Sequence, residues 1–424
     1  MACFSRKERL VASLLSAVPG LKQLIKKVYV LVNALIYQKK YMIKILDSRI
    51  AQLESISPDL SQETFFGYYD KIPLNRKGKL IFHISNRDTK LRPSCEECIE
   101  IGIWDIQTKK LLIVSSSRSY TWQQGARSQW ITDDLLIYND FEQGKYLSNV
   151  YSLSNQKIVK RYDYPVQDSF DIDYFLSINY RRIMTLRPDY GYRNLPLLNV
   201  DEMRELMCDG IWRVDYESGK GMMLHNLESI VSCQPKAIFA SCLHKVNHLM
   251  IKPNGKGFIF IHRWYKGKRR FDRLIYSDFK TLRVLADDEM VSHMCWVDDN
   301  TVFGYLRHEG KDGFYFININ TGKFTLCQKM TELAMGDGHP TVYREWIAFD
   351  TYPDKSRMQH LYLYNVKTSE LFPLLELYHG LKYTGECRCD LHPRFSSDGK
   401  YVFFDTVYSG KRTLCYIDIS RIVL

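Results

Sequence analysis

Four histidines recur at one phase of an internal repeat, and that repeat limits the possible folds more than any other feature of the chain. The segments VNHLMIKPNGKGFIFIHRW, VSHMCWVDDNTVFGYLRH, DGHPTVYREWIAFDTYPD and DLHPRFSSDGKYVFFDTVY place His248, His293, His339 and His392 each six residues ahead of a turn position, Asn254, Asp299, Glu345 and Asp398. Each turn leads into an alternating strand, and steps of 45, 46 and 53 residues suit one four-stranded sheet per repeat. Seven outer hairpins accompany the repeat: CIEIGIWDIQTKKLLIV, NVYSLSNQKIVKRY, GIWRVDYESGKGMML, RLIYSDFKTLRVL, GFYFININTGKFTLC, HLYLYNVKTSELFPL and TLCYIDIS. All but the last continue through a polar turn.

Seven hairpins predict an all-β, seven-bladed β-propeller over residues 62–424, with its first blades starting near Phe65, Trp122 and Pro165. A four-stranded sheet cannot bury both faces alone, so the repeats must stack around a ring. The 29 tyrosines and 21 phenylalanines among 424 residues favour strands in the same sense. Residues 201–208 (DEMRELMC) read as a helical insertion in the third blade, where a loop can shape a funnel.

The net charge of +11 is concentrated at one end. Residues 1–50 carry ten lysines and arginines against Glu8 and Asp47, which is +8 of the +11. A nucleic-acid binder carries its basic stripe on the folded domain, so nucleic acid is not an expected partner. After Pro19-Gly20, the residues Leu21, Leu24, Ile25, Val28, Leu31, Val32, Leu35 and Ile36 recur at helical spacing with lysines between them. This predicts a basic amphipathic helical leader over residues 1–50, too short in its apolar run to span a bilayer. Such a helix either lies on an anionic inner-membrane surface through residues 5–45, each lysine adding about 1 kcal/mol near the surface, or packs on the propeller. The stretch Arg6–Val18 lacks a small-x-small cleavage site, which argues against a signal peptide. Eleven scattered cysteines, with Cys95 and Cys98 forming a lone C-x-x-C, read as reduced thiols of a cytoplasmic protein rather than as a disulfide framework.

The first strand of each propeller blade lines the central channel, so the four in-phase histidines should meet near the axis. With Asp337, Asp350, Asp390 and Asp405 nearby in sequence, they suit a divalent transition metal. The alternative is that each histidine braces the turn of its own blade. Four further segments mix aromatic rings with Arg, Gln or Asp: FFGYYDKIP (65–73), TWQQGARSQW (121–130), LRPDYGYRN (186–194) and IHRW (261–264). Aromatic faces beside guanidinium and amide groups suit sugar rings and their carboxylates. On this basis Tyr69, Gln124, Arg127, Tyr192, Arg263 and Trp264, with Arg394 of the last repeat, are candidate substrate-binding residues, whereas Phe66, Trp122 and Trp130 read as blade-start packing.

The blade-start histidines, GDGHP, RCDLHPRFSSDGKYVFFDT and IHRW resemble the oligogalacturonate lyase type of propeller, and PRFSSDGK is similar to the repeat of TolB-like propellers. The resemblance covers residues 62–420. FFGYYDKIP and the basic leader further resemble propellers of bacterial surface-polysaccharide gene clusters. What the lyase resemblance implies is metal-assisted β-elimination of acidic oligosaccharides, with a manganese-type ion, Mn2+, held by three histidines and a glutamine. Matched residue by residue, His293, His339 and His392 are the implied ligands, and His248, Arg187 and His262 the candidates for proton transfer. The stretch MGDGHP offers only His339 where the family pairs a glutamine and two histidines, and Gln124 of another blade is a candidate substitute. Two functions follow as expectations: a metal-dependent lyase acting on an acidic oligo- or polysaccharide, or a non-catalytic glycan-binding or scaffold propeller of polysaccharide assembly held at the membrane by its leader.

Overall fold

The structure, a computed structural model, describes residues 19–59 and 61–423. Seven antiparallel sheets follow one another along the chain as the blades of a propeller. Blade 4 shows the plan. Leu243–Ile251 lies innermost, followed outward by Phe258–Lys266, Arg269–Ser277 and Leu282–Ala286. The second strands have little exposed side chain on either face: Leu80–Phe82, Leu136–Tyr138, Phe258–Ile261, Val302–Phe303 and Val402–Phe404 are all at 0%. A sheet stacked between two others reads as a continuous apolar run rather than an alternating one. The outermost strands face solvent on one side, and Leu111, Leu112, Ile113, Ile158 and Val159 remain exposed there.

The seventh hairpin lacks a partner in its own stretch of sequence, and the N-terminal region supplies it. Leu53–Ile56 pairs with Thr413–Asp418, with Leu53 opposite Ile417 and Ile56 opposite Leu414. This closes the ring and leaves blade 7 with four strands. Ile43–Ile45 adds a fifth strand to blade 6 along Glu370–Tyr378. The propeller therefore takes in residues that the sequence assigns to the leader and to the stretch before residue 62. Strands of three and four residues are too short to show a period, so the pattern alone could not reveal them.

The leader helix runs over Pro19–Ile36, and proline at its first position suits a site whose N–H has no helical partner anyway. The expected segment before residue 19, with Arg6, Lys7 and Arg9, lies outside the described residues. In blade 3 the insertion holds two helices rather than one. Tyr180–Leu186 is capped by the Asn179 side chain, and Val200–Arg204 by a reciprocal Asn199/Glu202 capping box. The buried Arg182 ties both to blade 4 by donating to Met203 O (2.8 Å) and His244 O (3.1 Å). Gly191 lets the intervening loop lie directly on the first helix, since a Cβ there would stand 2.2 Å from the Met184 backbone. That contact sets the position of Arg187 and Tyr190.

Ring closure makes a direct prediction. Ile56 is 1% exposed between blades 7 and 1, so Ile56→Ala should cost about 2–5 kcal/mol of stability in denaturant unfolding. Truncation to residue 38 should leave the transition intact, while truncation through residue 57 removes the closing strand and should lower its midpoint sharply.

Candidate functional site

One carboxylate fixes two of the histidine loops. Asp350, the last residue of the second strand of blade 6, accepts from the backbone N–H of His339 (2.7 Å) and of His392 (3.0 Å), and from Nδ1 of His339 (2.9 Å). The loops of blades 6 and 7 are thereby locked to one point. Gly338 permits the approach: at φ +36°, a Cβ on it would sit 2.3 Å from the Asp350 carbonyl oxygen. His293 donates from Nδ1 to Gly338 O (2.9 Å) and His392 from Nδ1 to Gly67 O (2.8 Å). With Nδ1 engaged in all three rings, Nε2 is the nitrogen left to face a ligand, the arrangement that orients imidazoles as metal ligands.

The rings lie together, with centroids 3.9 Å apart for His293 and His339 and 4.2 Å for His339 and His392. Nε2 of His339 and of His392 are both buried without a hydrogen-bond partner. Ligand atoms of His339, Asp390 and His392 lie within 4.8 Å of one another. Two imidazoles and a carboxylate with unspent donor atoms, beside a third imidazole, fit a divalent transition metal.

Burial, reinforced by the neighbouring cationic and imidazole groups, pushes His248, His293 and His392 well below the ordinary histidine pKa, which keeps them neutral. Burial acts the same way on His339, but the Asp350 carboxylate outweighs it and holds that ring above its ordinary value. Burial also opposes charge on Asp390, yet the Arg388 guanidinium, 2.6 Å away, keeps its pKa below the usual carboxylate value. Arg388 reaches on to Asp189 (2.8 Å) and to the Tyr190 hydroxyl (3.1 Å), joining blade 7 to the blade 3 insertion.

Above the rings opens a funnel of about 950 Å3. Eight lysines and arginines, Arg187, Arg263, Arg270 and Arg388 among them, line it against three aspartates among the described residues. His248 stands at its wall, stacked on Tyr68 (5.2 Å, 4°) with Nδ1 3.0 Å from the tyrosine hydroxyl. It takes positive φ (+54°) at a bulge of the innermost strand of blade 4, which turns its ring inward.

No protein-family model and no curated protein matches the chain. Among solved structures, an oligogalacturonate lyase in complex with manganese matches with a TM-score of 0.59 at 16% identity, covering 90% of this chain and 97% of its own. An oligogalacturonate lyase from Vibrio parahaemolyticus matches at 0.59 and 13%, with 89% and 96% covered. The protein has the fold of the oligogalacturonate lyases. TolB from Acinetobacter baumannii follows at a TM-score of 0.40 and 14% identity over 72% of this chain and 65% of its own.

Within this propeller the residues singled out from the sequence divide into two groups. His248, His293, His339, His392, Arg187 and Arg263 meet at the funnel and its floor. Tyr69 is there too, but as packing: its ring lies against His339 (5.4 Å), and its hydroxyl is held by the Met294 backbone. The others serve the frame. His262 is hydrogen-bonded to His244 (3.0 Å) and to Arg273 (2.9 Å), and Trp264 is buried against Phe239 on the same strand face. Alternation along the strand explains the split, because Arg263 points to the face opposite both neighbours. Arg127 pairs with Asp70 (2.9 Å), Tyr192 stacks on Tyr180 (4.3 Å), and Arg394 clamps Asp405 (2.9 Å) to the Tyr68 carbonyl (3.1 Å). Gln124 occupies a tight turn beside Gly67 and His83, and Asp390 stands in the place expected of it.

Arg388, Arg270 and Lys245 escaped the sequence reading. Arg388 was within reach, two residues before Asp390 and four before His392, as an Arg-x-Asp-x-His spacing. Lys245 had no such signal. Its amine is buried without a hydrogen-bond partner, opposite Arg263 in the strand register. Burial first, then Arg263 and Arg187, push its pKa well below the ordinary lysine value. The folded state thus prefers the neutral amine, and stability is lost as pH falls below the unfolded-state pKa of about 10.4. Lys245→Met should therefore stabilise the protein at pH 7 by about 1–3 kcal/mol in denaturant unfolding, with a smaller gain at pH 10.

Proposed function

We propose that the protein is a divalent-metal-dependent lyase that cleaves acidic, uronate-containing oligo- or polysaccharides by β-elimination. The observation that carries this reading is the cluster of His293, His339, His392 and Asp390 at the foot of a funnel lined mainly by arginine and lysine. His339, His392 and Asp390 would hold the ion, with His293 beside them. Bound there, a divalent ion supplies Lewis-acid stabilisation of negative charge on a uronate carboxylate.

The chain's own groups account for the rest. Arg187, Arg270 and Arg388 draw an acidic saccharide into the funnel and orient its carboxylates, while Arg263, paired with the buried Asp272, adds positive charge behind the wall. Tyr352 at the wall, which is partly exposed, offers apolar ring surface to a sugar face. His248 is neutral and fits the role of base: it takes the proton on the carbon next to the carboxylate. The electron pair of that C–H bond first enlarges the carboxylate's charge, then forms the C4–C5 double bond as the C4–O bond breaks, its pair staying on the oxygen of the departing saccharide, which takes a proton from water. Tyr68, hydrogen-bonded to His248, positions its ring. The manganese complex of a lyase with this fold supports the choice of metal class, Mn2+ first.

The purified protein should contain close to one equivalent of transition metal by elemental analysis. His339→Ala/His392→Ala should lose it, along with any release of unsaturated uronate from oligogalacturonate, seen as ultraviolet absorbance. His248→Ala should keep the metal and lose at least 100-fold in rate. Full product release by the metal-free double variant would overturn the lyase reading, and a metal-free wild-type protein that still binds uronate oligomers would point to the glycan-binding role instead.

A further inference from the structure

The leader helix is inside out. An amphipathic helix resting on a folded domain ordinarily turns its apolar stripe inward. Pro19–Ile36 does the reverse: it lies across the funnel, to which Lys26, Lys27, Tyr29, Val30, Leu31 and Asn33 all contribute. At 100° per residue, Tyr29, Lys26, Asn33 and Val30 fall on one side, and this side faces the propeller. Leu24, Ile25, Val28, Val32, Leu35 and Ile36 fall on the other, with Leu31 at the edge of the stripe where it also borders the funnel, and the stripe is about 140° wide. These seven side chains are between 39% and 75% exposed. A contiguous apolar face of this kind on a globular surface marks a docking surface.

We infer that the outward face of the leader helix docks on an anionic lipid bilayer, so that the mouth of the funnel is held against the membrane surface. Three observations favour that occupant. The apolar stripe is flanked by base and not acid: Lys27 borders it, Lys40 and Lys44 follow the helix and are exposed, and no acidic residue occurs between residues 9 and 46. Exposed Tyr37 and Met42 extend the apolar surface past the helix end, in the place where interfacial side chains sit. Among the described residues no helix is long and apolar enough to cross a membrane, so the helix suits a position in the headgroup layer. An acidic protein partner would match the lysines but not seven outward aliphatic side chains in a row. A second copy of the chain would match the aliphatic side chains while setting the lysines of two leaders against each other.

The test uses the full-length protein and vesicle sedimentation. Binding to vesicles of phosphatidylcholine with one-quarter phosphatidylglycerol should exceed binding to phosphatidylcholine alone by tenfold or more, and should weaken with salt. Val28→Glu/Leu35→Glu, both on the outward face, should reduce that binding at least tenfold, and Lys40→Glu/Lys44→Glu should reduce it several-fold. Neither pair should change the thermal unfolding midpoint or the metal content, because these side chains are exposed and remote from the histidines. Failure to sediment with anionic vesicles would overturn the inference. So would a dimer that forms without lipid and dissociates in Val28→Glu/Leu35→Glu while vesicle binding is unchanged. Neither result bears on the metal centre, which is read separately by elemental analysis.

Discussion

A single buried carboxylate organises the centre of this propeller. Asp350 collects two backbone N–H groups and one imidazole Nδ1, and by doing so fixes the loops that start blades 6 and 7 relative to each other. A buried carboxylate without partners would be costly, so the loops and the acid depend on one another. Asp405 repeats the device one blade on, accepting from the N–H groups of Phe66 (2.9 Å) and Gly67 (2.8 Å), and Gly67 in turn holds His392 by its carbonyl oxygen. Three of the four in-phase histidines thus take their orientation from backbone that acidic residues have already positioned. Oriented donors and a free set of Nε2 atoms follow from this frame rather than from any direct contact between the rings.

The site is unevenly distributed around the ring. Blades 4 to 7 supply the histidines, one each, at corresponding positions. Blades 1 to 3 supply the opposite wall: Tyr68 and Tyr69 come from the first blade, and Arg187 and Tyr190 from the helical insertion of the third. Arg388 crosses between the two halves through Asp189 and Tyr190. An old repeat has therefore been used twice, as uniform architecture on one side and as a support for unrelated loops on the other.

The repeat was legible because stacked sheets impose it. The phase of His248, His293, His339 and His392 could be read directly, and so could the seven hairpins. The roles of Arg127, Arg394, His262 and Trp264 could not, because they resemble ligand-facing residues in every respect visible from sequence. Buried Arg–Asp clamps and saccharide-binding arginines are the same residue types in the same aromatic company. Only the direction of the side chain separates them, and in a strand a shift of one residue reverses it. Arg388 was missed differently: it follows directly on the 3-10 turn at Gly385–Cys387, in a non-repeating segment with no counterpart in another blade to align with. The closing strand Leu53–Ile56 lay beyond any periodic reading, and the seventh hairpin differed from the other six only in not continuing through a polar turn.

Just past the leader helix, Lys39 (2.8 Å) and Tyr41 (2.5 Å) both grip Glu376 on the outer part of blade 6. Two residues, Tyr37 and Gln38, separate Ile36 from Lys39, a reach of about 10 Å when fully extended. The helix is on a short leash: it can roll or tilt about that anchor, but it cannot diffuse away from the opening it covers. Whatever meets its outer face is handed to the same rim every time, and a pull on the helix is transmitted through Glu376 into the blade that carries His339.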